Sequence, residues 1–328
     1  MKKVLITGAE GFIGSHLAET LMQEGFDVKA FCLYTANGSK GWLDTFPKNT
    51  LDNIEISPGD IRDRNTLYKA MKDCDTVFHL AAHISIPYSY IAPSSFIDTN
   101  VNGTLNILQA ALDHDIEHLI VTSSSEVYGT AIRVPINEEH RIQPQSPYAA
   151  SKVAADALAW SFFKSYRLPV TILRPFNTFG PRQSTRAIIP AIIIQLLSKT
   201  QMLELGNTTP TRDFTFIDDL VKAFAETGKK PELAGNTYNI CSGKEISIHQ
   251  LAHMLISKIN PETSLVTQKE RLRPSESEVF RLLGDATKFS ERTLWKPETP
   301  FERGIDQTIA WFSNKKNQEF YRVNGYQI

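Results

Sequence analysis

The sequence predicts an α/β protein, built on a doubly wound parallel sheet with a smaller C-terminal α/β lobe on its substrate side. Three observations predict it. Short β-branched runs alternate with longer helical patterns through the first half, the strands are almost continuously apolar, and a glycine-rich turn joins the first strand to the first helix. Strands are expected at "KVLITG", "DVKAFCLY", "NIEISPGD", "TVFHLAA", "HLIVTSSS" and "LPVTILRPFN". "FIGSHLAETLMQEG" is an amphipathic helix stopped by Gly25, and "RNTLYKAMKDC", "SSFIDTNVNGTLNILQAALDHD" and "SPYAASKVAADALAWSFFKSYR" are helical connections between the last four strands. After Pro175 the pattern loosens into loops such as "FNTFGPRQSTR" and "LGNTTPTRDF", with no linker or repeat. The second lobe therefore packs directly on the sheet, and the cleft between them is the expected ligand site.

Composition bounds the function. Of 328 residues, 41% are hydrophobic, and Lys plus Arg (35) balance Asp plus Glu (36), so no overall field favours nucleic acid or an anionic membrane. An anionic ligand must be held by local groups. Cys32, Cys74 and Cys241 are scattered without metal-ligand spacing, which predicts buried thiols, a reducing compartment and no metal. "MKKVLITG" has too short an apolar run for a signal peptide. "AIIPAIIIQLL" (187–197) is too short for a membrane span, contains a proline, and reads as a buried or interface helix. The expectation is a soluble cytoplasmic protein.

"TGAEGFIG" sets Gly8, Gly11 and Gly14 between strand and helix. Gly8 permits the tight turn, Gly11 lets backbone approach a pyrophosphate, and Gly14 lets helix and strand pack closely, while the helix N-terminus offers unpaired N–H groups to the phosphates. A dinucleotide-binding unit usually ends its second strand in an acid that bonds the ribose. Here "FCLYTANGSKG" has neither acid nor arginine, which leaves NAD and NADP both open. Asp60 in "GDIRD" could reach the adenine or simply cap a helix.

"YAASK" places Tyr148 and Lys152 on one helical face. A neighbouring ammonium lowers a phenol's pKa, as a cationic nicotinamide would, making Tyr148 a base for a sugar hydroxyl. Together, "TGAEGFIG", "GDIRD", "HLAA", "NVNGTLNIL", "SSSEVYG", "YAASK", "RPFNTFGPR" and "RDFTFIDDLVKA" resemble the extended short-chain dehydrogenase/reductases, specifically the nucleotide-sugar epimerases and dehydratases, over nearly the whole chain. The resemblance implies Ser124, Tyr148 and Lys152 as the oxidation triad of an enzyme with a tightly bound, recycled NAD or NADP. It places Gly8, Gly11, Phe12, Ile13, Gly14, Asp60, Ile61, Leu80, Ala81 and Ala82 around the cofactor, with Asn100 supporting the site. It further implies Ser85, Asn177, Arg182, Arg212 and Arg273 at the nucleotide-sugar substrate. Arg212 and Arg273 would clamp its diphosphate, a task suited to a permanently charged fork. A cofactor domain of residues 1–175, rejoined by 211–242, a substrate lobe of 176–210 and 243–328, and a homodimer across a four-helix interface complete the implied architecture.

All such enzymes first oxidise a sugar hydroxyl, usually at C4. A dehydratase must then remove the C5 proton and expel the C6 hydroxyl, which needs a carboxylate. Glu126, two residues past Ser124 on the expected strand end, is that carboxylate. Epimerases have a small or neutral residue at the matching position. The best-known dTDP-glucose dehydratases have Asp–Glu there, whereas this chain has Ser125–Glu126, so Glu126 is expected to serve both proton transfers with Ser125 orienting it. UDP-glucuronate decarboxylases also show "SEVYG", but "HISIPYSY" (83–90) lacks an arginine or lysine for a uronate, which only the second lobe could then supply. "GWLDT", "HISIPYSY", "PFNTFGPRQSTRAIIP" and "GNTTPTRDFTF" resemble legionaminic-acid-pathway dehydratases acting on UDP- or GDP-linked N-acetylglucosamine. Dehydratases that return hydride to C4 and release a 5,6-ene would use the same residues. A non-catalytic dinucleotide-binding protein would have no need of Tyr148 with Lys152.

Overall fold

The computed structural model describes residues 2–321. Its strands are β1 (Lys3–Thr7), β2 (Asp27–Leu33), β3 (Glu55–Gly59), β4 (Thr76–His79), β5 (His118–Thr122), β6 (Val170–Pro175), β7 (Asn177–Phe179), β8 (Met202–Leu205), β9 (Thr211–Phe216), β10 (Asn236–Ile240), β11 (Glu245–Ser247) and β12 (Ser264–Thr267). Seven of them form one sheet in the order β10-β6-β5-β4-β1-β2-β3, and every neighbouring pair is parallel. The strand order reverses beside β1, so the carboxyl ends of β1 and β4 open a crevice there.

Alternation along β1 divides the core. Val4 and Ile6 join Leu17, Leu21, Leu220 and Phe224 on the face covered by the helices Phe12–Gln23 and Ile217–Gly228. Leu5 joins Leu67, Ile107, Leu119 and Phe162 on the face covered by Arg64–Met71, Gly103–Asp113 and Pro147–Tyr166. Each fully buried aliphatic side chain contributes roughly 1.5–3 kcal/mol, and both faces are used along the whole sheet.

The second lobe carries a three-stranded sheet, β11-β9-β7, a two-stranded one, β12-β8, and the helices Ile188–Leu197, Ile248–Ile259 and Phe301–Ser313. Within 211–242, β9 lies in the small sheet, whereas Ile217–Gly228 and β10 lie on the large one. Ile188–Leu197 is largely buried, and no helix among the described residues is long and apolar enough to cross a membrane. The three cysteines are buried and free.

One expected helix is not continuous. The stretch starting at Ser94 opens in a short α-turn (Pro93–Phe96), widens into a π-turn (Ile97–Asn102), and only then becomes the helix Gly103–Asp113. A π-turn adds a residue to the turn and often marks a functional site. Here it carries buried Asn100.

His79, at the end of β4, shows how tightly this crevice is wired. The Thr7 hydroxyl accepts from the amides of Leu80 and Ala81, so its own proton goes to His79 Nδ1 at 2.9 Å. His79 Nε2–H then donates to Thr104, whose hydroxyl donates to Asn100 O. Burial, with Lys152 nearby, lowers the His79 pKa to about 3. A histidine held neutral contributes stability that is complete above its unfolded pKa of about 6.5 and is lost as pH falls toward the folded value. His79→Gln should therefore remove about 1.4 kcal/mol per pH unit from the slope of unfolding free energy between pH 6 and 4. Parallel denaturant titrations of both proteins would measure it, and equal slopes would refute it.

Candidate active site

A cavity of about 1380 Å³ lies over the carboxyl ends of the parallel strands and runs into the second lobe. Its floor on the β1 side is the glycine loop. Gly8 has φ +71°, and a Cβ there would lie 2.9 Å from the Ala81 backbone; at Gly14 it would lie 2.1 Å from Gly8 O. No side chain caps the helix that follows Gly11, so its first N–H groups remain available. Phe12, Ile13, Asp60, Ile61, Leu80, Ala81 and Ala82 line the same wall. A bare cradle, free helix N–H groups and a long apolar-walled slot fit a dinucleotide.

Asp60 faces the cavity but is forked onto Arg62 at 2.5–3.0 Å. Asp63, not Asp60, caps the next helix by accepting from Thr66 N. Asn100 does not reach the cavity wall. Its Oδ1 accepts from His83 N at 2.8 Å, and its Nδ2 donates to His83 O and Ser151 Oγ. Ser151 in turn donates to Tyr148 O, so Asn100 fixes the Tyr148 turn against the segment after β4.

The reactive wall is formed by β5 and the helix Pro147–Tyr166. That helix starts because Ser146 accepts from Ala149 N and Pro147 occupies its first position. β5 ends at Thr122, and the chain then turns into a 3₁₀ turn, Ser125–Tyr128, instead of the extended strand end expected from the sequence. The cause is local: Ser124 Oγ accepts from Glu126 N at 3.2 Å. The turn still leaves Ser124 and Glu126 on the cavity with Tyr148 and Lys152, while Ser125 is buried behind them.

The electrostatics differ from the expected picture. Lys152 Nζ donates to Thr122 O at 3.0 Å, and burial lowers its pKa to about 8. Burial pushes Tyr148 up to about 12; a hydrogen bond with Ser124 opposes this, and the charges of Glu126 and Asp156 add to it. In the protein alone, burial outweighs any help from Lys152.

Behind these residues lies a network that the sequence reading missed. Asp156, one turn beyond Lys152, accepts from Ser123 Oγ at 2.9 Å and from Arg174 Nε and Nη2 at 3.1 and 2.9 Å. Arg174 Nη1 donates to Tyr128 Oη, which donates to Asn239 Oδ1. Burial pushes the Asp156 carboxyl upward, and Arg174, Ser123 and Lys152 pull against it. Two signals could have found the pair: the four-residue spacing Tyr148, Lys152, Asp156, and a lone charge in the apolar strand "VTILRP".

Ser85, from the segment after β4, lines the cavity, as do Asn177, Arg212 and Arg273 from the chain beyond β6. Asn177 Oδ1 is buried without a partner. Arg212 Nη1 donates to Thr211 O and Val279 O, and Glu126 is the largest charge attraction it feels. Glu278, also unforeseen, stands 3.7 Å from Arg212 and 3.6 Å from Arg273. Arg182 touches the cavity, but its Nη1 donates to Glu19 at 2.7 Å and its guanidinium lies over the Phe46 and Trp311 rings. Among the described residues no group of three or more His, Cys, Asp or Glu side chains stands ready to hold a metal ion.

Glycine cradle, tyrosine–lysine helix and serine at the end of a parallel strand define a dinucleotide-dependent enzyme of the extended short-chain dehydrogenase/reductase class. The chain belongs to the GDP-mannose 4,6 dehydratase family, whose model matches residues 5–308. It is 32% identical to the dTDP-D-glucose 4,6-dehydratase of Mus musculus over 97% of this chain and 92% of that one. It is also 32% identical to the UDP-N-acetyl-alpha-D-glucosaminuronate decarboxylase of Bacillus cytotoxicus, over 96% and 99% of the two chains. The solved UDP-glucose 4-epimerase of Thermus thermophilus, in complex with NAD, superposes with a TM-score of 0.83 at 26% identity, covering 95% of this chain and 99% of that one. Dehydratase, decarboxylase and epimerase relatives thus share one scaffold.

The buried ion pair has a measurable consequence. Asp156→Asn leaves Arg174 charged, buried and half unpaired, which should cost about 3–5 kcal/mol in unfolding free energy. The double variant Asp156→Leu with Arg174→Met should recover most of that loss. Denaturant midpoints of the three proteins test this, and a single variant within about 1 kcal/mol of wild type would contradict it.

Proposed function

We propose that the protein is a nucleotide-sugar 4,6-dehydratase acting on UDP- or GDP-linked N-acetylglucosamine, as in the legionaminic-acid pathway. One observation carries the dehydratase reading: a buried carboxylate, Glu126, shares the cavity wall with Ser124 and Tyr148. Burying a carboxylate is costly unless it is paired or has work to do. The N-acetylglucosamine substrate rests on the motif resemblance, and NAD as cofactor is supported by the NAD-bound relative.

In this reading Tyr148 takes the C4 hydroxyl proton, and Ser124 supports the developing oxyanion through the bond that already favours phenolate. Lys152, held at Thr122 O, supplies the positive field beside it. When bound, the nicotinamide group supplies hydride acceptance from C4 and its return to C6. Once C4 is a ketone, the C5 proton is acidified. Glu126 removes it and delivers it to the C6 hydroxyl, which leaves as water, with buried Ser125 fixing the turn that aims it; on hydride return to C6 a solvent proton would restore C5–H, balanced by the proton Tyr148 took from O4 and releases to solvent. Asn177, Arg212 and Arg273 would hold the sugar diphosphate, and Ser85 the sugar. Arg182, on the cavity wall with its Nε buried and unpartnered, would join them at the substrate while its Nη1 stays on Glu19. The reading includes a cytoplasmic homodimer across 96–112 and 148–163, and the exposed Ile97 and Trp160 on those segments support the interface.

Incubation with UDP- and GDP-N-acetylglucosamine followed by mass spectrometry tests the reading: loss of one water is expected. Unchanged mass with a changed sugar would mark an epimerase, and carbon dioxide loss from a uronate a decarboxylase. Glu126→Gln should lower dehydration by about 10²–10⁴-fold, the usual share of a general acid–base group. C4 oxidation, read as transient NADH absorbance, should survive. Normal dehydration by that variant would remove Glu126 from the mechanism.

A further inference from the structure

β2 ends at Leu33, followed by Tyr34, both exposed, where a ribose-binding acid would ordinarily stand. A carboxylate is nevertheless present at that point, delivered from a different element. Glu10, inside the glycine loop, reaches across so that its Oε1 accepts from Leu33 N at 3.0 Å. Its Oε2 is buried and has no partner. Glu10, Leu33, Trp42, Asp60 and Ile61 line the same arm of the cavity.

The surroundings are built around this residue. Glu10 O accepts from Trp42 N at 3.0 Å, and Gly41 has φ +55° with room for no Cβ, which would lie 2.6 Å from Glu10 O. The 3₁₀ turn Gly41–Thr45 is thereby closed down onto the loop. Trp42 in turn packs on Trp311 and Tyr321, so the arm is walled by aromatic rings. A partnerless carboxylate oxygen in such a wall is an acceptor waiting for a donor. Arg62, which lines the same cavity, is already forked onto Asp60.

We propose that Glu10 is the specificity-determining residue for the cofactor: it substitutes for the missing β2 acid, accepts the adenosine ribose hydroxyls, and selects NAD over NADP. A ribose diol offers the O–H donors that Oε2 lacks. A 2′-phosphate offers none and brings like charge against a buried carboxylate, with Arg62 already engaged. The inference rests on the cavity holding a dinucleotide and is independent of which sugar is dehydrated.

Equilibrium binding to cofactor-stripped protein, by calorimetry with NAD⁺ and NADP⁺ as the probes, tests it without turnover. Wild type should bind NAD⁺ at least about tenfold more tightly than NADP⁺, the worth of one hydrogen bond to a charged group. Glu10→Gln keeps an acceptor for Leu33 N but removes the charge; it should weaken NAD⁺ about tenfold and narrow or invert the preference. Adding Leu33→Asp to that variant should restore the NAD⁺ preference by returning an acid to β2. As a measurement that needs no variant, ADP should bind wild type about tenfold more tightly than 2′-deoxy-ADP. An unchanged NAD⁺/NADP⁺ ratio in Glu10→Gln, or equal binding of ADP and its deoxy analogue, would overturn the assignment. Failure of wild type to bind either dinucleotide would overturn the cofactor reading together with it.

Discussion

Two buried cations hold the reactive wall together. Lys152 ties the helix Pro147–Tyr166 to the last carbonyl of β5, and Arg174 ties the same helix to β6 through Asp156. Ser123, which donates to Asp156, is the residue between that carbonyl and Ser124. The phenol of Tyr148, the hydroxyl of Ser124 and the turn carrying Glu126 therefore share one anchored frame. Because the frame is buried, neither cation can relax into water, and each must keep its oxygen partner. Position at the site is set by this wiring more than by hydrophobic contact, which is non-directional.

The same frame explains why dehydratase, decarboxylase and epimerase relatives can share a scaffold. In the proposed reading, the oxidation step would need only the frame and a dinucleotide. The fate of the oxidised sugar would then depend on the turn of chain beyond Ser124 and on the side chains the second lobe presents to it. Glu126 sits on the first of these, and Arg212, which feels its charge, comes from the second. Chemistry and recognition meet across the cleft between lobes, where loops can change without disturbing either core.

Much of this was legible in the sequence because its signals are local. The periodicity of "KVLITG" and its neighbours, the glycine loop and the YxxxK spacing each depend on residues a few positions apart, and the strands and the cavity lining follow them. The 3₁₀ turn at Ser125 was not legible. A hydroxyl bonding an amide two residues on competes with the strand, and sequence alone does not say which wins. Glu10, Asp156 and Glu278 were missed because a decisive partner of each lies elsewhere along the chain, at Leu33, Arg174 and Arg212; Arg273, the second partner of Glu278, is five residues away, but the mixed-charge run holding both reads as a solvated segment. The Tyr148–Lys152 pair was read correctly as neighbours on one face, but pairwise spacing carries no information about burial, and burial dominates the phenol.

Glu278 gives the Arg212–Arg273 corner of the cavity a built-in counter-ion. Standing between Arg212 and Arg273, it offsets one of their two positive charges before any ligand arrives. An incoming diphosphate would exchange places with a carboxylate instead of meeting two bare cations. Such an exchange trades absolute affinity for ease of departure, since the arginines recover a partner the moment the diphosphate leaves. It also dampens salt dependence, because the charge displaced belongs to the protein and not to the bulk ions. For the proposed dehydratase, whose product would keep the same diphosphate handle as its substrate, that internal swap would protect turnover from product retention.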